Sequence, residues 1–187
     1  MRIKIVVLVL TLVTLSVGQL GCDDNGNAQQ IETELEFAFS GTFGPAPANT
    51  DTIDDGRPAS LRTYEGVSGF GNTNITILDE FAQPIPPIDC PLDNLQFNLV
   101  KGNFIIRVGN GDLLLGTIES GMSCFDPVGL RSEIFEEGII TEGTGQFAGV
   151  SGPVEIMTSS IFQNTTASDG YASGGSTGEF TGTLEFE

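Results

Sequence analysis

The chain has no His and no Trp, and among its 187 residues it carries only 7 Lys+Arg and 3 Cys. Each shortage excludes something. Without His there is no Ser-His-Asp or Cys-His relay, no histidine general base and no histidine-ligated zinc. With 25 Asp+Glu and a formal charge of −18, the chain lacks the basic surface that phosphate recognition needs, which excludes nucleic acid as a partner. The same charge excludes electrostatic docking on anionic lipid. Two isolated Cys besides Cys22, without a CxxC, are too few ligands for a metal site. No metal and no cofactor is expected. No catalytic constellation is legible, so the catalytic residues are unknown at this level.

What is present begins with an address. Arg2 and Lys4 form a basic start, Ile5 to Val17 is an apolar run softened by Thr and Ser, and Asp23-Asp24-Asn25 turns abruptly polar. That run is too short to span a bilayer as a helix and fits a removable signal peptide over residues 1–21. A small-x-small cleavage site is missing, since the first Ala is Ala28. Gly21-Cys22 instead resembles the end of a bacterial lipobox, although Gln19 and Leu20 depart from its preferred residues. The resemblance implies lipidation of Cys22, a polar tether over 22–30, and an exported protein held at the periplasmic or cell-surface membrane by acyl chains alone. Plain secretion with a spare Cys22 is the alternative. Loss of Arg2 and Lys4 with the signal makes the mature protein more acidic still.

The remaining residues, 31–187, amount to one domain. If Cys22 carries lipid, Cys90 and Cys124 are left as an even pair in an oxidising compartment, and a disulfide between them is expected. It would close a loop of about 35 residues and stabilise the fold by roughly 3–4 kcal/mol.

Glycine sets the rhythm of that domain: with 25 Gly and 9 Pro there is little room for long helices. Between the glycines the pattern has period 2. Ile31, Thr33, Leu35, Phe37 and Phe39 alternate with Glu32, Glu34 and Glu36; near the end, Phe180, Gly182, Leu184 and Phe186 alternate with Glu179, Thr181, Thr183 and Glu185. These read as half-buried strands, and their likeness marks them as neighbours where a sheet closes. Further strands are read at 74–78, 94–101, 104–108, 112–120, 130–142 and 154–162, with Asn110-Gly111 as a hairpin turn. Residues 44–58, 83–91 and 165–177 read as loops. Many short strands separated by turn signals mean an all-β sandwich or barrel.

Two candidate charge sites belong to the bland class. Glu133, Glu136 and Glu137 are read as a solvated outer strand face. Asp51, Asp54 and Asp55 resemble a calcium loop, but Ile53 and Arg62 stand where that pattern needs acids.

The stretch Gly143-Thr144-Gly145-Gln146-Phe147-Ala148-Gly149-Val150-Ser151-Gly152 resembles an element of the allene oxide cyclase and dirigent-like barrel superfamily, and Gly109 to Gly116 resembles an earlier hairpin of such domains. Gly143, Gly145, Gly149 and Gly152 permit tight turns, and Phe147 is an apolar peg suited to plugging a barrel end. The resemblance implies a single antiparallel eight-stranded β-barrel, able to hold one small ligand or to be filled by side chains, and often oligomeric. No catalytic residue carries over. The expected function is therefore a non-catalytic barrel binding a small apolar ligand. The alternatives are a cyclase or isomerase working through a buried carboxylate, and a structural surface protein with a filled lumen.

Overall fold

The computed structural model describes residues 31–47, 59–166 and 171–186. The signal segment, Cys22, the tether and the aspartates at 51, 54 and 55 lie outside the described residues. Eight strands follow one another: β1 (Ile31–Pro45), β2 (Ser60–Ser68), β3 (Gly71–Phe81), β4 (Leu95–Val108), β5 (Leu113–Asp126), β6 (Arg131–Gly143), β7 (Val150–Thr166) and β8 (Tyr171–Phe186). Each pairs antiparallel with its sequence neighbours, and β1 pairs with β8 to close the barrel. Closure leaves no unpaired sheet edge.

The expected all-β barrel is thus observed, and β1 and β8 meet at the seam as their sequence likeness implied. Phe37 stands opposite Phe180, and the two rings stack at 5.3 Å inside. Glu32, Glu34, Glu36 and Glu179 face outward on the other parity and are exposed.

Two sequence expectations compensate for each other. β2 is a strand that the sequence reading misses, and β4 is one strand where the reading has two. The apparent break at Gly102 is a close approach: a Cβ there would stand 2.9 Å from the Ile118 side chain on β5. The expected loop over 165–177 is also corrected. β7 continues to Thr166 and β8 starts at Tyr171. Gly174 in it is a strand position under an aromatic ring, where a Cβ would meet Phe43 at 2.8 Å, and Gly178 just beyond it is another, where a Cβ would meet Phe39 at 2.6 Å.

One end of the barrel is shut. Here β6 and β7 are joined by a short 3₁₀ turn, Gly145–Phe147. Phe147 is fully buried and packs edge-on against Phe70 at 5.0 Å, with Val150, Val108, Leu114 and Leu184 also buried in the same core. Gly145, Gly149 and Gly152 all have positive φ, which side chains with a Cβ adopt at a cost. The Asn110-Gly111 hairpin sits beside this turn, with Gly111 at φ 94°. At the opposite end Cys90 and Cys124 form the expected disulfide, with Cα atoms 5.5 Å apart. It ties the proline-rich β3–β4 connection to β5. Gln96 adds to the tie, its side-chain oxygen accepting from the N–H groups of Ile88 and Asp89 at 2.9 Å each.

Candidate functional site

The inward side chains change character along the barrel axis. Toward the shut end they are apolar: Phe37, Ile75, Phe104, Ile106, Ile156 and Phe180 are all buried. Toward the disulfide end the same parity becomes polar on four strands. β2 runs from Tyr64 to Arg62, β3 from Ile77 to Asp79, β6 from Ile140 past Gly138 to Glu136, and β7 from Ile156 to Thr158 and Ser160. Arg62 and Asp79 are each 1% exposed and Glu136 is 2% exposed.

These residues converge on one guanidinium. Arg62 Nη2 donates to both carboxylate oxygens of Glu136 and forms an ion pair with Asp79. Arg62 Nη1 reaches Thr158 Oγ1 at 3.4 Å. The Tyr64 hydroxyl lies against Arg62 and Ser176 without a hydrogen bond of normal geometry. Asp79 Oδ1 and Arg62 Nε have no hydrogen-bond partner among the described residues. Buried polar atoms are nearly always paired, which sets these apart from the rest of the core.

The electrostatics follow from the count of charges. One cation faces two carboxylates in a medium that hydrates none of them. Burial works against the Arg62 charge, but Asp79 and Glu136 outweigh it and hold the guanidinium firmly protonated. Burial pushes the Asp79 carboxyl up to about 7; Glu136 pushes the same way, and Arg62 opposes both. Tyr64 is likewise raised by burial, with Arg62 opposing.

Above this cluster lies a layer of hydroxyls. Ser123 and Ser132 share a hydrogen bond of 2.6 Å, and Ser160 and Ser176 share one of 2.7 Å. Beyond them Phe43, Phe162 and Phe125, all half-buried, meet edge-to-face with centroids 4.9 and 5.0 Å apart. From the mouth inward, the order is aromatic, hydroxyl, charged, apolar.

The structure corrects one expectation about these residues. Glu136 does not share the solvated face of Glu133 and Glu137. Those two are exposed, whereas Glu136 is buried in the lumen while its neighbour Phe135 faces outward, 44% exposed. Arg62, Asp79 and Tyr64 are not singled out by the sequence reading. A signal for them existed, since Arg62 shares parity with Tyr64, and Asp79 with Ile75 and Ile77.

The glycine element lies at the other end and takes no part in this cluster. Gly143, Gly145, Gly149 and Gly152 shape the plug around Phe147, and no side chain there offers chemistry. No group of three or more metal-ligating side chains occurs among the described residues. A shallow groove of about 320 Å³ on the outer wall, lined by Glu34, Glu36, Glu155, Thr181 and Thr183 among others, is remote from the luminal cluster and open to solvent.

No family model matches the chain, and no curated protein matches it. Among solved structures it is similar to the pterocarpan synthase dirigent protein GePTS1, at 12% identity over 86% of this chain and 88% of that chain, with a TM-score of 0.31. The likeness is one of fold alone.

Proposed function

We propose that the protein is an exported, lipid-anchored barrel that binds one small, largely apolar molecule in the disulfide-end half of its lumen. One observation carries the reading. Between an apolar floor and an aromatic mouth, the lumen holds polar atoms of Arg62, Asp79 and Tyr64 whose hydrogen-bonding capacity the described residues leave unmet. Small-molecule sites have this composition: mostly apolar walls with a few polar groups that fix orientation. Apolar packing could fill such a barrel without a charged cluster.

The anchor is supported by Arg2, Lys4, the apolar run to Val17 and Gly21-Cys22. Mass spectrometry of the mature N-terminus should find a diacylated Cys22; an unmodified N-terminus at another residue would reject it. Ligand binding is tested by thermal shift of the full exported chain against a library of small apolar compounds. Hits should raise the melting temperature, and Phe162→Arg, which places a charge among the mouth rings, should remove the shift. A broad library without a hit would count against binding.

A second reading, a cyclase or isomerase, is favoured by the Asp79 carboxyl, which burial holds at about 7, the range suited to general acid–base work. It differs from the first in requiring that a bound compound be converted, which chromatography of the recovered ligand decides.

A further inference from the structure

The unmatched charge in the lumen says what kind of head group the ligand carries. Among the described residues, the titratable side chains of this cluster are Arg62 and Tyr64 from β2, Asp79 from β3 and Glu136 from β6; Glu80, next to Asp79 on the opposite parity of β3, is buried as well. The other strands add no charge: β1 contributes Phe43, β4 Gly102, and β5, β7 and β8 contribute serines, a threonine and glycine. With both carboxylates ionised the cluster holds one positive and two negative charges, all with side chains almost wholly withdrawn from water. A net negative charge in such a place is costly, and it is relieved by a proton or by a second cation.

We propose that the lumen binds an amine-bearing molecule, an aromatic or aliphatic group with a protonated nitrogen, whose cation pairs with Asp79 and takes the place of that proton. The proposal rests on the ligand-binding reading above. Three features fit a cationic nitrogen. Asp79 Oδ1 has no hydrogen-bond partner of normal geometry among the described residues, so it has capacity to accept. The hydroxyls of the two serine pairs supply further neutral acceptors along the path. The Phe43–Phe162–Phe125 rings at the mouth carry aromatic faces, to which a cation is attracted. An anionic head group would meet the opposite situation, because Arg62 is already engaged by two carboxylates and a third negative charge would deepen the imbalance. A neutral head group would leave it unrelieved.

Proton and amine then compete for one carboxylate, and this gives the test. Benzylamine, benzyl alcohol and phenylacetate share size and ring, and differ in head-group charge. Their affinities for the full exported chain are measured by calorimetry at about pH 8 and about pH 5.5, either side of the Asp79 transition. Benzylamine should bind at least about tenfold tighter than benzyl alcohol at the higher pH, and lose about tenfold on going to the lower. Phenylacetate should bind worst. Asp79→Asn, which keeps the Arg62–Glu136 pair, should erase both the amine preference and the pH dependence. Glu155→Gln, in the outer groove, should change neither.

Equal binding of the amine and the alcohol, tighter binding of phenylacetate, or loss of amine binding in Glu155→Gln with retention in Asp79→Asn would each overturn the proposal while leaving a ligand-binding lumen in place. Failure of all three probes and of the apolar library would overturn both. Should Asp79→Asn fail to fold, the pH competition in the native protein still decides.

Discussion

Arg62 on β2 and Glu136 on β6 are 74 positions apart in the chain and meet across the barrel interior, one guanidinium nitrogen donating to both carboxylate oxygens. The pair spans the lumen, because β2 and β6 lie on opposite sides of the closed sheet. It therefore connects two walls that share no backbone hydrogen bonds.

That cross-brace sets the first prediction. Removing one partner of a buried pair leaves the other charged and unhydrated, at a cost of about 3–5 kcal/mol. Arg62→Met should lower stability by that amount at neutral pH in urea unfolding, because it strands two carboxylates. Its deficit should shrink at mild acidity, where Asp79 accepts a proton. The double variant Arg62→Met/Glu136→Met should recover much of the loss. A double variant as unstable as the sum of two singles would show that the brace is not acting as a pair.

Asp79 gives a pH dependence of opposite sign to that of an ordinary surface carboxylate. Its folded-state pKa is raised from the ordinary carboxylate range to about 7, so the folded protein binds this proton more tightly than the unfolded chain does. The contribution is fully present below the unfolded value and is lost as pH rises toward the folded one. Relative to Asp79→Asn, the native protein should lose stability between about pH 4 and about pH 7, by an amount on the order of a few kcal/mol. Paired urea titrations across that window measure it. A difference that stays flat with pH would mean the Asp79 proton is not held.

The disulfide yields a third expectation. Cys90 and Cys124 close the only covalent loop among the described residues and secure the connection at the polar end. Cys90→Ser/Cys124→Ser should cost about 3–4 kcal/mol in the chain-entropy view. If the loop also shapes the mouth, ligand-induced thermal shifts should fall in the double variant by more than the stability loss explains.

Much of the architecture is legible in the chain because strand parity writes itself into it. The alternation at 31–39 and 179–186 gives both strands and their shared role at the seam, and Asn110-Gly111 gives a turn. The candidate site is not legible, for physical reasons. Arg62 occupies an inward position in a strand left unassigned at the level of sequence, because charge at a buried place breaks the apolar alternation. At Glu136 the parity is inverted, with Phe135 outside and the acid inside, so counting hydrophobic residues assigns the wrong face. Neither residue could be joined to the other or to Asp79 without the stagger of the barrel, which no single sequence displays. Glycine misleads in the same way. Gly102 and Gly174 read as breaks, yet each makes room inside a strand for a side chain from a neighbouring one.

The shut end offers the last prediction, because two separately noticed sequence elements prove to be one clasp. Asp112, after the Asn110-Gly111 turn, accepts a hydrogen bond from the Gln146 N–H at 3.0 Å, and Thr144 accepts one from the Leu113 N–H at 2.8 Å. Together they hold the Gly145–Phe147 turn so that the Phe147 ring enters the core. Phe147→Ala should cost about 3–5 kcal/mol, the usual loss for a buried aromatic ring. Asp112→Ala should cost less, about 1 kcal/mol, since it removes one solvent-accessible hydrogen bond, from the Gln146 N–H, while the ring stays. Gly145→Ala should be damaging although the position is a surface turn, because its φ is 58° and a Cβ would press on the Asp112 carboxylate. The double variant Asp112→Ala/Gly145→Ala tests the clasp directly: removing the carboxylate takes away the clash and leaves only the backbone strain. Its loss should therefore be smaller than the sum of the two single losses. Strict additivity would show that Asp112 and Gly145 act on stability independently, and that the contact between the two elements is incidental.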